Sequence, residues 1–311
     1  MRVAVVDIGT NSTRLLVADV DSSGRITELE RRTQVTRLGE RVDSTGELSR
    51  YAIARVRKTL DGYQAAIDAS GAQARIAVLT SAVRDSSNGE RFVASLRERY
   101  GLDARIISGD EEAQLTFFGA MSGREPSDTT RTLVIDVGGG STELIVGATG
   151  AVSFHVSLQL GVVRQTERHL RDDPPSAREL VALHRDVRTL VERDVPPAER
   201  HGIDRAIAVA GTATSLAAID QALDPYDRER VHGYKLELVT ARLLLARLAA
   251  VPLAERRRIR GLHPDRAPTI VAGAAILIEV LEAFGLDGFE VSENDILRGA
   301  ALQRAGVLTT V

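Results

Sequence analysis

One strand–turn–strand sequence occurs twice in this chain, and that repetition restricts the fold more than any other feature. The first copy runs Val5-Val6-Asp7-Ile8-Gly9-Thr10-Asn11-Ser12-Thr13-Arg14-Leu15-Leu16-Val17. The second runs Val134-Ile135-Asp136-Val137-Gly138-Gly139-Gly140-Ser141-Thr142-Glu143-Leu144-Ile145-Val146. Aspartate, glycine, serine, threonine and leucine all recur at the spacing that separates Asp7 from Asp136. Each copy reads as an apolar strand, a tight polar turn and a second apolar strand. A single Asp-Gly hairpin is ordinary. Two in matching register predict two related domains, each offering a turn to a shared cleft.

The rest of the chain follows the same plan. The first half predicts strands over 2–6, 14–20 and 25–36, then a helix over 49–69 whose apolar positions step by three or four. A strand over 75–79, a helix over 89–100, a strand over 104–107 and a helix over 110–121 complete it. The polar segment 122–130 reads as a linker. The second half repeats the meander (132–136, 142–147, 151–156) and adds helices near 160–170, 177–193, 239–250, 267–284 and 296–305, with strands at 205–210 and 288–291. The expected division is therefore an N-terminal domain, 1–123, and a C-terminal domain, 124–311, with helical insertions. The final helix, 296–308, has the option of packing back on the first domain. Opening and closing about the linker is expected, because a cleft must admit its ligand.

Composition excludes several classes. The 311 residues include no cysteine, so neither a disulfide framework nor a thiolate metal site exists, which suits a reducing cytoplasm. A net charge of -3 gives no global footprint for DNA, though a cleft can still be locally positive. The N-terminus reads as a strand and polar turn rather than a signal peptide. The longest apolar run, Ile270–Val280, carries Glu279 and reads as a buried helix rather than a membrane span. Lysine occurs only at 58 and 235, and no Gly-Lys-Ser or Gly-Lys-Thr of a Walker loop is present.

Anion chemistry is still legible. A phosphate needs converging backbone N–H donors, and small residues let the backbone approach it closely. Gly9, Thr10, Asn11 and Ser12 form one such turn; Gly138, Gly139, Gly140, Ser141 and Thr142 form the other. Asp7 and Asp136 end their strands, where a hydrated divalent cation can bridge carboxylate and phosphate oxygens. Three acids, Asp110, Glu111 and Glu112, open a helix after a strand. They complement its dipole, and one of them can serve as a general base for water. Arg84, after another strand, can fork onto phosphate oxygens or simply pair with Asp85. Gly211 and Thr212 mark a strand-to-helix turn able to hold an anion. The six histidines show no metal-ligand spacing. The basic run at Arg256–Arg258 and Arg260 reads as a solvated face or a polyanion contact.

Together the segments Asp7–Ser12, Thr80–Asn88, Ile107–Ala120, Val134–Leu144, Ala210–Thr214 and Ser292–Ala300 resemble the exopolyphosphatase / guanosine pentaphosphate phosphohydrolase (Ppx/GppA) family. The resemblance implies an α/β fold of two duplicated actin-like, ribonuclease H-like domains around a central cleft, within the acetate and sugar kinase superfold. It implies Glu112 as catalytic base, Arg84 on phosphate, Asp136 and Glu143 at a Mg²⁺ (or Mn²⁺) ion, and the two turns as phosphate loops. Some members carry further C-terminal helical domains, so processive digestion of long chains is not carried over.

The implied reaction is Mg²⁺-dependent hydrolysis of a terminal phosphoanhydride, of polyphosphate or of guanosine pentaphosphate. The motifs address only the terminal phosphoryl group and do not choose between the two. Partial burial would raise the glutamate base above its ordinary ~4.3. Two other classes stay open: a kinase of the same superfold with an unknown acceptor, and a non-catalytic sensor of guanosine nucleotides or polyphosphate. No membrane partner is expected. A homodimer through the apolar second-domain helices is compatible with the pattern, as is plain core packing.

Overall fold

The computed structural model describes residues 1–125, 127–148 and 150–308; Pro126, within the expected linker, lies outside them. The chain divides into two compact units, one formed by Met1–Arg124 with Asn294–Val311 and the other by Glu125–Glu293.

Unit 1 opens with β1 (Arg2–Ile8), β2 (Ser12–Val20) and β3 (Ile26–Val35). There follow α1 (Val42–Thr45), α2 (Arg50–Ser70), β4 (Ala74–Leu79), α3 (Ser81–Arg84), α4 (Gly89–Tyr100), β5 (Asp103–Ile106) and α5 (Gly109–Met121). The sheet order is β3-β2-β1-β4-β5, antiparallel among the first three strands and parallel from β1 onward. Because side chains alternate across a strand, β1 serves two cores. Ala4, Val6 and Ile8 join the cluster under α2 and α4, while Val3 and Val5 join the cluster on the other face. β3 is the edge strand, and its charged side chains Glu28, Glu30, Arg31 and Arg32 are ion-paired along the strand. The helix predicted at 49–69 is α2, capped by the Ser49 hydroxyl, which accepts from Ala52 N at 3.1 Å.

Unit 2 contains β6 (Thr132–Val137), β7 (Thr142–Ala148), β8 (Ala151–Leu158), α6 (Val162–His169), α7 (Ala177–Asp194), β9 (Arg205–Val209), α8 (Ala210–Asp220) and α9 (Arg228–Val231). It continues through β10 (Lys235–Glu237), α10 (Leu238–Ala249), α11 (Leu253–Arg256), α12 (Ile270–Phe284) and β11 (Gly288–Val291). Its order, β10-β11-β9-β6-β7-β8, repeats the unit 1 arrangement and adds β10 as an antiparallel edge. The fold is thus a duplicated actin-like, ribonuclease H-like α/β fold. The apolar run at 270–280 forms most of α12 and is buried throughout. Glu279, within the run, is 3% exposed and accepts from His184 Nδ1 at 2.8 Å and Arg188 Nε at 2.9 Å. No helix among the described residues is long and apolar enough to cross a membrane.

The last helix, α13 (Ile296–Arg304), belongs to unit 1 and lies against α5. Two glycines set that approach. A Cβ on Gly119 would lie 1.9 Å from the Asp295 carbonyl oxygen, and one on Gly299 would lie 1.9 Å from that of Leu115. One expectation for the basic run is corrected. Arg256 is 4% exposed and donates to the carbonyls of Leu248 (2.7 Å) and Val251 (2.9 Å), ending α10 from inside rather than facing solvent.

Candidate active site

The two turns are closed alike. Gly9 N donates to Ser12 O and Gly138 N to Ser141 O, both at 3.0 Å. In both, neighbouring backbone takes up the turn carbonyls. Thr10 O accepts from Gly39 N at 2.8 Å, and Asn11 O accepts from Thr36 N at 3.0 Å and Arg37 N at 2.9 Å. In unit 2, the opening N–H groups of α6 do the same work. Val162 N donates to Gly138 O and Val163 N to Gly139 O, both at 2.9 Å, and Arg164 Nε reaches Gly140 O at 3.0 Å. Gly161 allows this contact, since a Cβ there would sit 2.2 Å from Gly139 O. Among the described residues, the N–H groups of Thr10, Asn11, Gly139 and Gly140 donate to no protein acceptor. Turns with carbonyls bonded and N–H groups open favour an anion.

The ends of the repeated strands then diverge. Asp7 pairs in register with Arg14 across β1 and β2, and Asp136 with Glu143 across β6 and β7. The sequence repeat aligns Arg14 with Glu143, so one position carries opposite charge in the two units. In unit 1, Arg14 Nε donates to Asp7 Oδ2 at 2.7 Å, and its Nη1 bonds Asp295 at the start of α13. Burial raises the Asp7 carboxyl above its ordinary range; Arg14 opposes this, but the same guanidinium also serves Asp295. In unit 2, Asp136 (7% exposed) and Glu143 (1%) oppose each other directly, where Cβ atoms stand about 5 Å apart. Glu143 Oε1 accepts from Ser157 Oγ at 2.8 Å, one strand further across. Like charges so placed repel, and two hard oxygen donors fit a Mg²⁺-like cation that keeps most of its waters. Among the described residues no cluster of three or more acidic or histidine side chains is assembled for a metal.

The three acids of α5 have separate fates. Asp110 is exposed. Glu111 bonds Arg105 Nη1 at 2.6 Å and Gln303 Nε2 at 3.2 Å. Glu112 is 7% exposed, and its Oε2 accepts from Arg84 Nη1 at 3.1 Å. Arg84 ends α3, which follows β4 directly, and the same Nη1 also donates to Ile107 O at 3.0 Å. Among the described residues, Arg84 Nε and Nη2 make no hydrogen bond. The start of α3 is tied to the turn, because Thr10 Oγ1 bonds Ser81 Oγ at 2.8 Å and accepts from Ala82 N at 3.2 Å.

Gly211 and Thr212 lie inside the first turn of α8, which begins at Ala210 without an intervening loop. The Arg266 guanidinium rests on Gly211, where a Cβ would fall 1.4 Å from Nη1. The Thr212 side chain meets α12 at Gly273. Sequence reading passed over Arg14, Asp295 and Arg266. Aligning the two repeats residue by residue would have exposed Arg14, and Asp295 caps α13 from within the Ser292–Ala300 segment; Arg266 has no local signal.

The chain is similar to known proteins along nearly its whole length. A model of the Ppx/GppA phosphatase family matches residues 16–303. Exopolyphosphatase 2 of Mycobacterium tuberculosis is 36% identical over 98% of this chain and 99% of its own length. Exopolyphosphatase 1 of the same species is 32% identical over 98% of this chain and 88% of its own. A solved exopolyphosphatase-like protein superposes with a TM-score of 0.90 at 32% identity, covering 99% of this chain and 100% of that one. The Aquifex aeolicus family member does so at 0.82 and 29%, covering 98% and 97%. With the family model spanning all but the ends and these relatives matched nearly end to end, the chain belongs to the Ppx/GppA phosphatase family.

Proposed function

We propose that the chain hydrolyses the terminal phosphoanhydride of inorganic polyphosphate, with guanosine pentaphosphate as the rival substrate. The carrying observation is the pair of turns with bonded carbonyls and open N–H groups at Thr10, Asn11, Gly139 and Gly140. Ser12 and Ser141 add hydroxyls, and Gly211 and Thr212 open a helix beside the Arg266 cation. The relatives matched over most or all of their lengths are exopolyphosphatases, which favours polyphosphate.

In this reading the turn N–H groups receive oxygens of the phosphate chain. Arg84 offers Nε and Nη2 to the terminal phosphoryl group while Nη1 holds Glu112. Glu112 orients a water with its other oxygen. The water oxygen bonds to phosphorus, its proton passes to Glu112, and the anhydride P–O bond breaks with its electron pair leaving on the shortened chain. A Mg²⁺ or Mn²⁺ ion held by Asp136 and Glu143 would offset phosphate charge when bound. Asp7 acts through Arg14, to which its carboxylate is bonded. Such positioning and charge stabilisation make up most of phosphoryl-transfer catalysis.

The test is divalent-dependent phosphate release from polyphosphate and, separately, from guanosine pentaphosphate. Glu112→Gln keeps the shape and an acceptor for Arg84 but loses the base, so turnover should fall ~10²–10⁴-fold with binding within a few-fold. Undiminished turnover overturns the assignment. Tight binding without release in the wild type would favour a sensor, and phosphate transfer to an added acceptor a kinase.

A further inference from the structure

Unit 1 carries a basic concavity lined by none of the residues assigned above. A groove of about 420 Å³ lies between edge strand β3 and helix α2, lined by Arg32, Thr36, Arg55, Lys58, Thr59 and Tyr63 among others, and no acid lines it. That volume is in the range of small-ligand sites. Arg32 is paired to Glu30 and Arg55 to Glu40, both outside the lining. Lys58 is exposed and makes no ion pair or hydrogen bond among the described residues. Burial raises the Tyr63 hydroxyl to about 12, so it stays neutral while donating to Thr13 O at 3.0 Å.

The groove is also wired to the first turn. Arg55 Nε donates to Thr36 O at 2.7 Å and Arg55 Nη2 to Arg37 O at 2.9 Å. The N–H groups of those two residues are the ones that hold Asn11 O, and two residues on Gly39 N holds Thr10 O. Thr36 Oγ1 bonds Thr13 Oγ1 at 3.0 Å. The segment is conformationally poised as well. Arg37 (φ 50°) and Arg41 (φ 64°) are both left-handed, a conformation that non-glycine residues adopt only when surrounding contacts impose it.

We propose that this groove is a second oxyanion site, for linked phosphates, whose occupancy steadies the Thr36–Gly39 segment and through it the Thr10–Asn11 turn. As a seat for substrate chain it rests on the polyphosphate reading; as an oligophosphate site it stands apart from catalysis. Three cations without a lining acid suit a multiply charged anion, and Lys58 supplies the charge that the protein does not already pair. The ligand has two possible sources, a stretch of chain behind the reacting end or released inorganic phosphate.

The experiment uses full-length protein carrying Glu112→Gln, titrated calorimetrically with inorganic tripolyphosphate and, in a second arm, with inorganic phosphate. The proposal expects a tripolyphosphate site that Lys58→Glu weakens about fivefold or more, and Lys58→Gln by less in the same direction. Amide exchange over 36–39 should slow on adding tripolyphosphate to the parent and not to the Lys58→Glu form. Response to tripolyphosphate alone identifies the chain as occupant; response to both anions identifies a site that also takes free phosphate. Tripolyphosphate binding and exchange that are both indifferent to Lys58 overturn the proposal. If otherwise wild-type protein releases no phosphate yet Lys58-dependent binding persists, the catalytic reading falls and the groove remains.

Discussion

The same substitution, glycine to alanine, should have opposite signs at two helical positions of unit 1. At Gly62, within α2, an added Cβ finds nothing within 4 Å, and the backbone is not in the left-handed region. Alanine there gains helix propensity and should stabilise by about 0.5–1 kcal/mol. At Gly299, within α13, the added Cβ would be 1.9 Å from Leu115 O and 2.6 Å from Leu115 C. Those atoms are backbone of α5, so no rotamer change relieves the clash, and the helices must separate by ~1 Å to reach the tightest contacts real Cβ atoms make. Ile296, Leu297 and Ala300, packed against the sheet, would lose contact as α13 moves, and a gap of that size forfeits up to about half of each dispersion contact. Net of the propensity gain, Gly299→Ala should cost ~2–4 kcal/mol and lower the unfolding midpoint of unit 1 by roughly 5–10 °C. Scanning calorimetry of the two variants beside the parent decides the matter. If Gly299→Ala melts with the parent, or if both substitutions shift the midpoint the same way, the close helix approach is not what fixes α13.

Arg14→Met removes the cation shared by Asp7 and Asp295 and should cost ~3–5 kcal/mol at pH 7 by urea denaturation. Because Asp7 already sits above its ordinary range, the folded chain holds that proton more tightly than the unfolded chain; the deficit should shrink at pH 5, and an equal deficit at both pH values would count against this account. Ser157→Ala deletes the hydroxyl that donates to Glu143, and the divalent concentration for half-maximal phosphate release should rise ~10-fold with little change in melting; an unmoved metal titration would detach Glu143 from the ion. Glu279 is pushed up by burial, but His184 and Arg188 outweigh this and hold it below the usual range. Its contribution is therefore present above the ordinary carboxylate pKa of ~4.3 and is lost as pH falls through the lower folded value. Glu279→Gln should cost about 1–2 kcal/mol at pH 7 and flatten the acid limb of a stability–pH profile; an unchanged acid limb would place the proton uptake elsewhere.

What the sequence disclosed, and what it did not, divides along the range of the forces involved. The repeat of Asp7–Leu15 in Asp136–Leu144 is local information written twice, and it was enough to imply two sheets of like topology. Helix α2 announced itself through its apolar spacing, because that pattern acts within a turn or two of chain. Strand β10 is three residues long and owes its existence to β11, so no period could show it. Arg256 looked like part of a solvated run because nothing local says that the carbonyls of Leu248 and Val251 fold over it. The candidate site obeys the same rule. Local sequence left three adjacent acids equivalent and only the family resemblance singled out Glu112; tertiary structure separates them physically, exposing Asp110, giving Glu111 to Arg105 and setting Glu112 against Arg84. The difference between the two halves was readable all along in a single pair of letters. With one strand register, an arginine at 14 gives Asp7 an internal partner, while a glutamate at 143 sets two carboxylates face to face. A duplicated fold can therefore keep its backbone and still change the electrostatics of one cross-strand position: an arginine beside the strand-end acid in one unit, a second carboxylate opposite it in the other.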